Sequence, residues 1–293
     1  MYEKKENSKN LAILFIICSA FCFSCMNLFV RLSGNLPSIQ KSFFRNLVAF
    51  FFAVIMIRKN KIEIHITRHS LVPLLIRSIA GTLGILCNFY AVDHLAIADA
   101  SMLNKLSPFF VVIFSWLILK ERISPFQIGC ISMAFLGSLF VIKPSAAIFH
   151  HPSSLIGMLG GLAAGLAYAF VRVASQRGVK GPVIVAFFSG FSCLATLPFL
   201  VSDYVPMTAA QVMTLLLAGL AAAGGQFAIT AAYSHAPARE ISIYDYSQII
   251  FSTILGFLFL QELPDVYSFV GYFIIIGASL AMFLWNNRRK VTE

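Results

Sequence analysis

Residues 89–124 read FYAVDHLAIADASMLNKLSPFFVVIFSWLILKERIS, and residues 230–265 read TAAYSHAPAREISIYDYSQIIFSTILGFLFLQELPD. The two stretches begin 141 positions apart. In that register His94 meets His235, Asp99 meets Glu240, Ser101 meets Ser242, Leu119 meets Leu260 and Glu121 meets Glu262. Each opens on polar residues, runs through a long apolar segment with polar side chains at helical spacing, and stops at an acidic residue. Upstream, the same shift lays Phe29-Val30-Arg31 on Phe170-Val171-Arg172, and Asn88-Phe89 meets Gln226-Phe227 once a three-residue insertion is allowed. A match sustained this far marks a duplicated unit.

The rest of the 293-residue chain is of the same kind: 59% hydrophobic and only 12% charged, where a soluble domain carries about 25% charged residues. Apolar runs predict ten membrane-spanning helices near 11–33, 38–57, 70–92, 96–119, 124–142, 154–175, 182–201, 209–233, 239–261 and 264–285. Runs of this length suit a hydrocarbon core of about 30 Å. Prolines 37, 125, 152, 182, 206, 237 and 264 fall in the connections or first turns, where a missing N–H costs little. The fold class is therefore all-α integral membrane, with a first repeat over 1–150 and a second over 151–293. Five spans per repeat is an odd number, so the second copy enters from the opposite side, the inverted arrangement of many secondary transporters.

The net charge of +10 is spread over helix ends and short loops and forms no aromatic-interleaved patch, which argues against nucleic acid. It reports topology instead. With the N-terminus inside, fifteen Lys and Arg side chains, among them Lys4, Arg58, Arg122, Arg177 and Arg289, are cytoplasmic, and only Arg31, Lys41 and Lys143 fall outside. This is the positive-inside bias of an N-in, C-in protein. The basic start and apolar run from Leu11 exceed a signal-peptide core and lack a cleavage site, so they read as an uncleaved first helix. All six cysteines lie in apolar runs, and Cys22 and Cys25, although a C-x-x-C, sit mid-helix without a second pair. The histidines lack metal-ligand spacing. No Walker sequence, paired carboxylates or nucleophile with a base is present. No cofactor or metal is expected, and catalysis is not.

Buried polar groups carry the functional reading, because a charge at mid-membrane costs about 2.5–3.5 kcal/mol on insertion scales. Arg45, Arg77, Lys105 and Asp245 lie inside spans away from their ends. On the fourth span, Ser101, Asn104, Lys105 and Pro108 share one helical face; on the ninth, Ser242, Asp245, Ile249 and Ser252 do, with Tyr244, Tyr246 and Gln248 beside them. Lys105 and Asp245 fall at levels about 7 Å apart across the core, so they form either a substrate or proton site or a structural ion pair. Asn27 and Tyr168 are repeat partners on the first and sixth spans, and Asn88 and Gln226 on the third and eighth, where Tyr233 also lies. Each amide either binds substrate or ties helices together. Gly157, Gly161 and Gly165 form a small-residue stripe for packing. Arg77 is expected to snorkel toward the cytoplasmic end of its span, and Arg45 to find a structural or gating partner. Glu121 and Glu262 are expected to hold helix ends.

The segments Phe89-Tyr90-Ala91 through Ala98-Asp99-Ala100-Ser101, then Pro108 and Leu119-Lys120-Glu121-Arg122-Ile123-Ser124, resemble the repeat signature of EamA-type transporters in the drug/metabolite transporter superfamily. A second copy runs from Ala232 through Glu240 and Ser242 to Leu260-Gln261-Glu262-Leu263, with Ile249 where Pro108 stands in the first. The resemblance covers nearly the whole chain and includes Arg45. It implies a central cavity bounded by the first, third, fourth, sixth, eighth and ninth spans.

The function expected is secondary active transport of a small polar metabolite by alternating access in a bacterial cytoplasmic membrane. The mix of acid, bases, amides and tyrosines favours an amino acid or an organic anion, and export. Substrate-binding candidates are Asn27, Asn88, Ser101, Asn104, Lys105, Tyr168, Gln226, Tyr233, Tyr244, Asp245 and Gln248. Asp245 is also the candidate for proton coupling, as the intramembrane carboxylate able to take up and release a proton. The expected partners are the small-molecule substrate and membrane lipids, with the chain a monomer or homodimer. The alternative is a channel or lipid-translocating protein, which saturable counterflow would distinguish from a carrier.

Overall fold

The computed structural model describes residues 2–94, 97–145, 152–261 and 263–288. Twelve helices follow in order: α1 (Tyr2–Leu32), α2 (Ser38–Lys59), α3 (Arg68–His94), α4 (Ile97–Asn104), α5 (Ser107–Leu119), α6 (Pro125–Ile142), α7 (Ser153–Gln176), α8 (Gly181–Ser202), α9 (Ala209–His235), α10 (Ala238–Ile241), α11 (Ser247–Leu260) and α12 (Val266–Arg288). Among the described residues there is no strand, and ten segments are long and apolar enough to cross a membrane. The fourth span is α4 and α5 in series. The ninth is α10, a 3-10 turn over Ser242–Tyr246, and α11.

Local chemistry sets the same boundaries in both copies. Lys120 ends α5 in the left-handed region at φ 54°, and its repeat counterpart Gln261 ends α11 at φ 57°. Ser124 then caps α6 in a capping box with Gln127, while its counterpart Asp265 accepts the Ser268 backbone N–H at 3.0 Å at the start of α12. Packing obeys the same symmetry. α1 lies against α9 and α3 against α7, which are equivalent pairs under the repeat; α5 against α7 matches α11 against α1; α2 meets α8 and α6 meets α12, each with its own counterpart. Leu194, Val201, Leu258 and Phe273 point outward, as lipid-facing side chains do in a bundle whose solvent is hydrocarbon.

The sequence predicts continuous fourth and ninth spans, and the structure breaks both. Pro108 has no N–H to give the Asn104 carbonyl, and its ring would collide with that carbonyl in a straight helix. The chain responds with two non-helical residues, the Leu106 N–H bonding back to the Leu103 carbonyl at 3.3 Å before α5 begins. The second copy has Ile249 in place of the proline but breaks nearby. Ser242, Tyr244, Asp245 and Tyr246 are all indifferent helix formers, and Lys105 draws the Asp245 carboxylate and the Tyr246 hydroxyl to itself, so the segment tightens into the 3-10 turn.

The glycine stripe of α7 seats the first break. A Cβ on Gly161 would stand 2.5 Å from the Leu103 carbonyl oxygen, and one on Gly165 would stand 2.5 Å from Phe110 Cβ. Only hydrogen at these positions lets the broken span approach α7 this closely.

Candidate functional site

The two breaks meet at the centre of the bundle. Lys105, freed from regular helix, sends its ammonium to Asp245 Oδ2 at 3.0 Å, to Gln248 Oε1 at 2.7 Å and to the Asp245 carbonyl at 3.3 Å. In return Tyr246 donates its hydroxyl to the Lys105 carbonyl at 3.0 Å. Lys105 and Asp245 are both buried, so each charge is compensated by the other and by hydrogen bonds.

Beside this clamp lies a cavity of about 140 Å³. Its wall is largely made of repeat partners: Asn27 with Tyr168, Asn104 with Asp245, Ser107 with Gln248, and Asn88 with Gln226. Ser107 and Gln248 sit in the first turns of α5 and α11. Two half-helices thus begin at the cavity, a geometry that presents partly positive helix ends to an anion.

Of the residues singled out from sequence, Asn27, Asn88, Asn104, Tyr168, Gln226, Asp245 and Gln248 line this cavity. Lys105 stands behind Asp245 and Gln248 as their partner. Tyr233 lies behind Tyr168, their rings stacked at 5.4 Å. Ser101 is exposed and Tyr244 is buried away from the cavity. The reason is the breaks: unwinding after Asn104 and three-residue turns at Ser242–Tyr246 rotate these side chains off the straight-helix face.

Two residues read from sequence as structural belong to the wall. Arg77 does not snorkel. It is 2% exposed, donates to Gln226 Oε1 at 3.1 Å, and lies with its guanidinium carbon 4.1 Å from the Phe188 ring centroid and 5.9 Å from that of Tyr168. Gly81 makes the room, since a Cβ there would fall 2.2 Å from Arg77 Nη1. Arg45, 5% exposed, reaches the cavity from α2 and lies 6.0 Å from the Phe23 ring. The second and seventh spans therefore contribute, through Arg45 and Phe188, beyond the six expected. The signal was present in the sequence as two intramembrane arginines; what hid it was the assumption that the second span is peripheral.

On the side carrying the start of α1, the cavity is closed in layers. Beyond the Tyr168–Tyr233 stack, Arg172 binds Glu121 Oε1 at 2.7 Å and the Tyr233 carbonyl at 3.2 Å. Lys9 lies 3.9 Å from Glu240. Glu121 thus joins two helices rather than capping one. Glu262 lies outside the described residues.

The description of the EamA-like transporter family matches this chain twice, over residues 10–143 and again over 155–284. The chain belongs to the EamA-like transporter family. It is thereby a member of the drug/metabolite transporter superfamily, and the two matched segments fall on its two repeats. The pseudopaline exporter CntI of Pseudomonas aeruginosa is 32% identical over 272 residues, covering 92% of this chain and 95% of that protein. A riboflavin transporter of Rhizobium johnstonii is 24% identical over 288 residues, covering 94% of this chain and 92% of that one. A solved crystal structure superposes with a TM-score of 0.80 at 17% identity, over 94% of this chain and 98% of its own, and so shares the fold. Relatives of this kind make the chain a multi-pass membrane transporter of small metabolites.

Proposed function

We propose that this EamA-like protein is a secondary active carrier that exports a small polar metabolite across the bacterial cytoplasmic membrane by alternating access around the central cavity. The observation that carries the reading is the meeting of two repeat-related helix breaks at one buried, polar-lined cavity. Two inverted units, 1–150 and 151–293, sharing a site at their interface can expose it to either side by rocking about the contact. The positive-inside bias supports a cytoplasmic start of α1, and on that reading the layered closure by Tyr233, Arg172 and Glu121 is the inner gate. Export is favoured by the likeness to CntI, a pseudopaline exporter. With no nucleotide-binding sequence, the driving force is an ion or solute gradient, and Asp245 is the group to carry a proton once Lys105 lets go of it.

The test uses single cysteines in a background lacking the six native ones, at Ser234 on the inner side and Phe89 on the outer. An impermeant thiol reagent should label them in opposition: conditions that protect one expose the other. Independent labelling of the two sites under every condition would refute the carrier and favour a channel.

A further inference from the structure

The charge inventory of the cavity does not balance. Lys105 and Asp245 cancel, but neither Arg45 nor Arg77 takes part in an ion pair among the described residues. Arg45 Nε and Arg77 Nε are buried without a hydrogen-bond partner, and among the described residues the hydrogen bond made by these guanidiniums goes to the neutral amide of Gln226. The two cations line the same cavity. Aromatic faces compensate part of this, Phe188 for Arg77 far better than Phe23 for Arg45. Asp245, the acid of the cavity wall, is already held by Lys105.

We infer that the cavity is a binding site for an organic acid carrying two ionised carboxylates, one for Arg45 and one for Arg77. The inference rests on the carrier reading and specifies its substrate class. The two guanidiniums come from different helices, α2 and α3, and lean on different rings, so each presents its own fork of N–H donors. A planar fork matches a carboxylate with two parallel hydrogen bonds, which a compact ammonium does not. Two carboxylates neutralise the excess charge, and the first turns of α5 and α11 add to the attraction. Asn27, Asn88 and Asn104 are left for the polar groups between the acids. The Lys105–Asp245–Gln248 clamp gives the floor of the site without offering a free charge.

The experiment measures thermal unfolding of the detergent-purified full chain against succinate and glutarate, their monoamides, inorganic phosphate and 1,4-diaminobutane, all at matched ionic strength. The dicarboxylates should stabilise the protein at concentrations at least tenfold lower than their monoamides. Arg45→Gln or Arg77→Gln should collapse that preference to under threefold while changing the half-maximal monoamide concentration by less than threefold, a pattern that general loss of structure does not produce. If either Gln variant fails to fold, Arg45→Lys and Arg77→Lys keep the charge without the fork and should retain half or more of the preference on a logarithmic scale with weaker binding of both ligands. The inference is overturned if no dicarboxylate stabilises, if the monoamides, phosphate or the diamine do so as well, or if the preference survives in both Gln variants. Opposed labelling of the Ser234 and Phe89 cysteines would in that case leave the carrier standing and remove only its substrate class.

Discussion

Tyr246 is the repeat counterpart of Lys105, and the two are bonded to each other, the tyrosine hydroxyl donating to the lysine carbonyl at 3.0 Å. A bond between equivalent positions of two copies lies near the axis that relates them. The clamp of Lys105 on Asp245 therefore sits at the contact between the two repeats.

Single changes at the clamp should harm the protein more than the double change. Lys105→Met leaves a buried carboxylate and Asp245→Asn a buried ammonium, and breaking a buried pair costs about 3–5 kcal/mol, whereas replacing both is far milder. Thermal unfolding should show a positive coupling of at least about 1 kcal/mol between the sites. Transport separates two roles: a purely structural pair recovers activity in the double variant, while a proton-coupling Asp245 leaves it folded and inactive or independent of the proton gradient. Additive single effects would show that the two residues are not energetic partners.

The closure beyond the Tyr168–Tyr233 stack makes a second prediction. Arg172 and Glu121 are mostly buried, so a charge-assisted bond between them is worth about 1.5 kcal/mol or more, roughly tenfold in the population of the closed form. Glu121→Gln should raise the labelling rate of a cysteine at Ser234 by about that factor and lower it at Phe89. The exchanged pair Arg172→Glu with Glu121→Arg should move both rates back toward the parent. Unchanged rates in Glu121→Gln would remove the gate role.

At the far end of α6 an exposed contact gives a pH prediction. The Lys143 ammonium bonded to Asp265, with the Ser268 backbone N–H, holds the Asp265 carboxyl down to about 2 from an ordinary 3.8. A depressed folded value means the stabilisation is complete above pH 3.8 and disappears as pH falls through about 2. Lys143→Met should therefore flatten the fall in melting temperature between pH 4 and pH 2 relative to the parent, with salt reducing the difference. Identical pH profiles would show that the contact contributes nothing in solution.

Ten spans and two copies were legible because hydrophobic length and repeat register are properties of the chain alone. The breaks were not. Pro108 announced the first only in outline, and the second arises in Ser242–Tyr246 without any proline, where packing against Lys105 tips a segment of middling helix propensity. Projection onto straight helices consequently placed Ser101 and Tyr244 on the cavity face. The same projection did not bring Arg45 inward, although Gln40, Ser42 and Asn46 on its helix are buried with it. A charge in a span was the signal, and its partner, or lack of one, belongs to the tertiary structure.

Gly161 tests whether the break is held by α7. Its missing side chain lets the Leu103 carbonyl lie where a Cβ would stand 2.5 Å away, with Leu106 Cβ 3.5 Å off. Backbone cannot yield there without moving Asn104 and Lys105, two residues on. Gly161→Ala should therefore cost about 1–3 kcal/mol by overpacking and should lower transport beyond what the loss of folded protein explains. Gly129 in α6 is the control, because a Cβ there meets nothing within 4 Å. Gly129→Ala should be neutral or slightly stabilising, by up to about 1 kcal/mol from helix propensity. Melting temperature and initial transport rate, each normalised to folded protein, decide the matter. If Gly161→Ala behaves like Gly129→Ala in both, the broken span does not depend on its seat against α7, and the position of Lys105 must be set by its bonds to Asp245, Tyr246 and Gln248.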